Sequence, residues 1–155
     1  MAATLSVASL LERSGVDYDT IPKRRSRRRA TRLAPAIPGD RVIKTVLLID
    51  GQRHALAVIP KNRRIALAAL NSEFRRNFRL GSPDDVVRLY PGLPVHALLP
   101  AAIGAQAELF VDLSLVGLRD VAFETRDRRA LVRIEGQALP ELFNGAWCGR
   151  ISQPY

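Results

Sequence analysis

Lys44 stands inside VIKTVLLI (residues 42–49), a run otherwise apolar or β-branched. Side chains alternate along a strand, so Lys44 shares a face with Val42, Val46 and Leu48, and Ile43, Thr45, Leu47 and Ile49 take the other. A strand apolar on both faces is covered on both sides. An ammonium there needs an anion or a polar cavity, or else reaches water along its own stem. The residues leave the two readings even: a substrate anchor, or a lysine that snorkels from the strand end.

A second group is the stretch KRRSRRRATR, residues 23–32, with Arg24, Arg25, Arg27, Arg28, Arg29 and Arg32. It holds seven basic residues and no acid, within a chain of net charge +9. The remaining surface is therefore nearly balanced, and the excess is a local patch suited to a polyanion, RNA before DNA or an acidic membrane. Phosphate contact of this kind gives salt-dependent affinity with little sequence discrimination. The competing reading is a solvated basic face.

Other chemistry has less support. His54 and His96 are the only histidines, they are far apart, and with one cysteine there is no metal-ligand spacing, so no metal is expected. Cys148 has no helix start or partner beside it and reads as a spectator thiol. Gly-rich phosphate loops, paired-carboxylate motifs and nucleophile elbows do not occur. Asp112 ends an apolar run, where it caps the next turn or faces a cavity; the cap is favoured. Phe143, Trp147 and Tyr155 are able to stack on a base, although core or tail packing is the commoner use of such residues.

The elements that position these residues follow from pattern. A helix is predicted over 4–13, stopped by Gly15, and a short strand over 16–21. The arginine stretch allows a helix from Ser26. Strands at 42–49 and 54–59 form a hairpin about Asp50-Gly51. Helical spacing covers 64–74, a short strand 78–80, and a helix 83–90 opened by Ser82 as cap, Pro83 and two acids. A loop of small residues and proline runs over 92–105. Strands follow at 108–112, 120–125 and 130–135, with a bend at 113–117, a closing helix at 137–143 and a weakly patterned tail at 144–155. The sum is an α+β domain: a mixed, curved sheet of six or seven strands with helices packed on it.

Length and composition agree with one domain across the 155 residues. Apolar residues at 47% exclude a disordered chain. A single cysteine suits a reducing cytoplasm. No apolar run reaches the roughly 20 residues of a membrane span, and the first fifteen residues lack a basic n-region, so neither a membrane nor a signal peptide is expected.

The order of parts adds a family. RVIKTVLLIDGQRHALAVIPKNRRIALAAL (41–70), GSPDDVVRLYPGLPVHALLP (81–100) and ELFVDLSL (108–115) form a lysine strand with hairpin and helix, an acidic helix with a glycine-and-proline loop, and a strand ending in aspartate. Over residues 10–142 this resembles the YbaK-like superfamily, which includes free-standing aminoacyl-tRNA deacylases and the editing domain inserted in bacterial prolyl-tRNA synthetases. The resemblance implies a barrel-like sheet and hydrolysis of an amino acid wrongly esterified to tRNA, a small one on tRNA(Pro) foremost. Lys44 would hold the substrate end near its phosphate and ester, and Gly92, His96, Pro100 and Asp112 would shape the pocket.

Mischarged tRNA is the implied partner, with an aminoacyl-tRNA synthetase as a second, and no cofactor is implied. One departure stands out: the family's loop has glycine four residues before its proline, and here His96 precedes Pro100. Glycine permits close backbone approach to a ligand. His96 either supplies a side-chain contact in its place, as a proton shuttle, or weakens the chemistry and leaves an RNA-binding relative. A third reading keeps only a macromolecular contact through the arginines.

Overall fold

The computed structural model describes residues 7–22, 37–93, 98 and 108–155. The arginine stretch, His96 and Pro100 lie outside the described residues.

The centre of the fold is the apolar hairpin. Strands β2 (Val42–Asp50) and β3 (Arg53–Pro60) pair antiparallel, with Asp50 opposite Arg53. The two-residue loop is therefore Gly51-Gln52, one residue later than the expected Asp-Gly pair. Gly51 takes φ 62° at the first central position, the geometry that matches the twist of paired strands and that favours glycine.

The sheet grows outward from this hairpin as β1 (Tyr18–Pro22), β8 (Ala130–Glu135), β7 (Asp120–Glu124), β2, β3, β6 (Glu108–Asp112) and β9 (Trp147–Gly149). Strand β5 (Arg79–Leu80) pairs with β2 off this path, which makes eight strands among the described residues. The β2–β7, β3–β6 and β6–β9 pairs are parallel, and β1–β8, β7–β8, β2–β3 and β2–β5 are antiparallel. A separate ladder joins β4 (Arg63–Ile65) to β10 (Ser152–Pro154). The fold is a mixed α+β sheet, as expected, with more strands than six or seven.

Burial follows the strand alternation. Ile43, Leu47 and Ile49 of β2 and Leu56 and Val58 of β3 face one core, shared with Leu109, Val111, Val121, Phe123, Val132 and Ile134. Helices α1 (Val7–Arg13), α3 (Pro83–Leu89) and α4 (Leu139–Leu142) supply Leu11, Val86, Leu139 and Leu142 to the same core. The opposite face carries Leu48, Ala55, Ala57, Ile59 and Phe110 under Leu70 of α2 (Leu67–Phe74), with Phe78 and Ile151. A strand pair buried on both faces reads as a nearly continuous apolar run.

Capping matches the sequence at α3. Ser82 Oγ accepts from the Asp85 N–H at 3.2 Å, and the Asp85 carboxylate accepts from the Ser82 N–H at 2.8 Å. This is the reciprocal box of a serine cap with an acid at the third helical position.

Three expectations need correction. Residues 64–65 are not helical: they belong to β4, because Arg63–Ile65 finds a ladder partner in Ser152–Pro154, and the helix starts only at Leu67. The closing helix splits into a 3-10 turn (Gly136–Ala138) and the four-residue α4, the break falling where Pro140 sits at the helix start. The tail is structured, with β9 against β6 and β10 against β4.

Candidate active site

Lys44 is the third residue of β2, on the face it was expected to share with Val46 and Leu48, with Ile59 directly across the hairpin. Val46, partly buried, packs against the α2-side core, and Lys44 is partly buried as well. Its Nζ donates to the Tyr155 hydroxyl at 2.6 Å and lies 5.1 Å from that ring's centroid. These two distances put the ammonium beyond the hydroxyl, close to the ring plane. The contact is therefore a hydrogen bond and not a face-on cation–π pair. Lysine carries three N–H donors, and this is the one hydrogen bond it makes to a described residue.

The sheet is interrupted beside Lys44. One edge of β2 pairs with β7 only at Val42–Ile43 and with β5 only at Leu48–Ile49. Between these pairings no described strand joins that edge. Thr45 lies in the gap, 9% exposed, on the face opposite Lys44, and its Oγ1 is buried with no hydrogen-bond partner among the described residues. A buried hydroxyl left unpaired costs about 1–3 kcal/mol. Leu98 of the following loop packs into the core on the Thr45 side of β2.

Asp112 has the opposite character. It is 2% exposed at the end of β6. Its Oδ1 accepts from the Ile151 and Ser152 N–H groups at 3.0 and 3.1 Å. Its Oδ2 accepts from the Ser114 N–H at 3.3 Å and from the Ser114 hydroxyl. The carboxylate thus caps the turn at Leu113–Leu115, as favoured from sequence, and also ties the tail to the sheet. All four contacts are to the chain itself.

Gly92 follows α3 with φ 91°, a left-handed turn that favours glycine, and its carbonyl accepts from Arg126 Nη2 at 2.6 Å. Nearby on α3's C-terminal side, the Tyr90 hydroxyl meets His54 Nε2 at 2.8 Å with the rings edge to face. Burial pushes the Tyr90 phenol above its usual pKa. Gly92, His54 and Tyr90 are not in hydrogen-bond contact with Lys44.

Of the three aromatic candidates, Phe143 is buried in the core, Trp147 is 57% exposed with its ring against Phe74, and Tyr155 is 75% exposed. Two groups escaped the sequence as members of the Lys44 neighbourhood. Tyr155 was visible as an aromatic residue, but its pairing with Lys44 depends on the β4–β10 ladder, whose three-residue strands carry almost no periodicity. Thr45 carried a signal, a polar β-branched residue within an apolar strand. Elsewhere the ionic contacts are architectural: Arg76 forks onto Glu108 at 2.6 and 2.7 Å and reaches Asp50 at 3.4 Å. The Arg76 hydrogen bond holds Glu108 below its usual pKa. Among the described residues no group of three or more His, Cys, Asp or Glu is placed to hold a metal ion, and no helix is long and apolar enough to cross a membrane.

Comparison with known proteins places this geometry in a family. No curated protein matches the chain. Among solved structures, a hypothetical protein matches at 21% identity and TM-score 0.71, covering 95% of this chain and 99% of its own. A candidate signal transduction protein from Marinobacter aquaeolei VT8 matches at 21% identity and TM-score 0.73, over 94% of this chain but only 30% of its own. A candidate trans-editing enzyme for prolyl tRNA synthetase matches at 18% identity and TM-score 0.71, over 95% of this chain and 94% of its own. At these identities the likeness is one of fold. The family model described as an aminoacyl-tRNA editing domain matches residues 28–142, a span that holds Lys44, Gly92 and Asp112 and stops short of Trp147 and Tyr155. The chain belongs to the aminoacyl-tRNA editing domain family.

Proposed function

We propose that this chain is a trans-acting aminoacyl-tRNA deacylase, acting in the cytoplasm as one domain on a mischarged tRNA released by an aminoacyl-tRNA synthetase. The observation that carries the reading is Lys44: a cation on the central strand of an editing-family fold, with a surface-reaching ammonium whose described hydrogen bond is to one exposed hydroxyl.

The chemistry asks little of the protein. An aminoacyl ester is activated, and its hydrolysis adds water to the acyl carbon and expels the ribose hydroxyl, giving free amino acid and intact tRNA. A positioned water and donors for the developing oxyanion suffice. Lys44 is assigned to the substrate end, where its charge meets the terminal phosphate and the ester. Gly92, His96 and Pro100 are assigned to the pocket loop, with His96 able to move a proton during attack. The arginines at 24, 25, 27, 28, 29 and 32 are assigned to the tRNA backbone. Asp112, with both oxygens engaged by the chain, is better read as the support of the site than as a substrate contact. A small amino acid on tRNA(Pro) is the first substrate to try, since small apolar side chains are poorly discriminated by binding alone and benefit from a hydrolytic sieve.

A second reading has one observation in its favour. His96 fills a position where the resembled family has glycine, and bulk there is able to close the pocket while leaving RNA binding intact. The test is amino-acid release from a panel of mischarged tRNAs, set beside binding of the same tRNAs at increasing salt. Hydrolysis above the spontaneous rate supports the deacylase. Binding that falls with salt and with Arg27, Arg28 and Arg29 replaced, without hydrolysis of any substrate, supports the binding relative and overturns the deacylase.

A further inference from the structure

Tyr155 is the most exposed of the large hydrophobic side chains described, at 75%, yet the chain leading to it is firmly held. Asp112 fixes the Ile151 and Ser152 amides. Arg63 donates to the Ser152 hydroxyl at 2.8 Å and to its carbonyl at 3.0 Å. Strand β10 then pairs with β4 through Pro154 opposite Arg63. An aromatic ring presented to water from a strand anchored at three points has surrendered part of its freedom before any ligand arrives, which lowers the entropy cost of binding.

Its surroundings are cationic. The Lys44 ammonium meets the hydroxyl end and does not itself cover the ring faces, with further N–H donors to offer a phosphate. Arg64, exposed, stands opposite Gln153 in the β4–β10 ladder. Tyr155 is the residue directly after β10, two positions on from Gln153. An exposed aromatic face with a lysine at its edge and an arginine on the neighbouring strand is a combination that suits single-stranded nucleic acid, the ring stacking on a base and the cations meeting its phosphate.

We infer that Tyr155, with Lys44 at its edge and Arg64 on the neighbouring strand, is the platform on which the 3′-terminal base of the RNA stacks, so that the hydroxyl–ammonium contact sets the base next to the group that meets its phosphate. Tyr155 is a binding and positioning residue; it takes no part in bond breaking. The inference rests on the deacylase reading for its RNA, and it adds a residue that lies beyond the family match at 28–142.

The test uses the full chain, a short labelled RNA ending in single-stranded CCA, and a blunt duplex of equal charge. Tyr155→Ala is expected to weaken binding of the CCA RNA about ten-fold, in the range a lost base stack produces. Tyr155→Phe keeps the stacking ring and loses only the hydroxyl–ammonium contact, so it is expected to weaken CCA binding by less than Tyr155→Ala does, and the duplex is expected to bind all three proteins alike. In amino-acid release, Tyr155→Ala should raise KM and leave kcat nearly unchanged. Unaltered CCA binding and KM in Tyr155→Ala would overturn the platform, and so would faster release, which would make the ring a cover over Lys44. The two readings fail separately. Hydrolysis that depends on Lys44 but not on Tyr155 removes the platform alone. CCA binding that depends on Tyr155 without hydrolysis removes the deacylase alone.

Discussion

Asp112 and Lys44 each put a charge on an apolar strand of the same sheet, and the chain treats them in opposite ways. Asp112 is sealed at 2% exposure, with two tail amides, a turn amide and a hydroxyl donating to it. Lys44 reaches the surface and is met by one hydroxyl on an exposed ring. A buried charge with every lone pair engaged organises the fold and has no capacity left for a ligand. Among the described residues Lys44 makes one hydrogen bond and lies beside a stretch of the β2 edge that no described strand joins, which is the geometry the proposed binding role needs. The two residues are nonetheless linked, since Asp112 fixes the strand that delivers Tyr155 to Lys44.

The largest effect should come from the sealed charge. Asp112→Ala strands the Ile151 and Ser152 amides in the interior and should cost about 3–5 kcal/mol, read as a lowered denaturation midpoint. A loss below about 1 kcal/mol would break the contrast by showing the carboxylate to be dispensable.

Acid should act through a second carboxylate. Asp85 is held well below its usual pKa by its hydrogen bond from Arg79, then by the Ser82 amide and Arg88. A carboxylate whose pKa is depressed on folding adds stability that is fully present above its unfolded value near about 4 and is lost as pH falls toward the folded value. Asp85→Asn should therefore flatten the loss of stability below about pH 4 in an acid titration. An unchanged acid limb would show that the capping box at Ser82 carries no linkage.

A smaller effect of opposite sign is expected next to Lys44. Thr45→Val removes a buried hydroxyl without a partner among the described residues and keeps the side-chain shape, so stability should rise by about 0.5–1 kcal/mol in the same denaturation. A fall would mean that the hydroxyl is satisfied in solution.

Much of the frame was legible because it rests on strong local signals. The run at 42–49, the serine box at Ser82 and the aspartate closing 108–112 reappear as β2, the α3 cap and the β6 terminus. What escaped was long-range. Arg63–Ile65 is a strand only because residues 152–154 come back to pair with it, and pairing across that distance leaves no trace in helical spacing. The Gly51-Gln52 loop depends on pairing register in the same way, whereas the 3-10 break before α4 falls at Pro140, a local signal. The candidate site divides along this line. Lys44 was found from its strand, Asp112's cap from its position, and Tyr155's approach to Lys44 only from the folded tail. The arginine stretch, His96 and Pro100 stand on sequence.

The most direct measurement is single-turnover release of amino acid from mischarged tRNA by wild type and by Lys44→Ala, with the denaturation midpoint of each. Lys44→Ala is expected to abolish release while stability moves by no more than about 0.5 kcal/mol, the usual range for a surface substitution. Release that persists in a folded Lys44→Ala protein would contradict that expectation and detach the chemistry from the strand lysine.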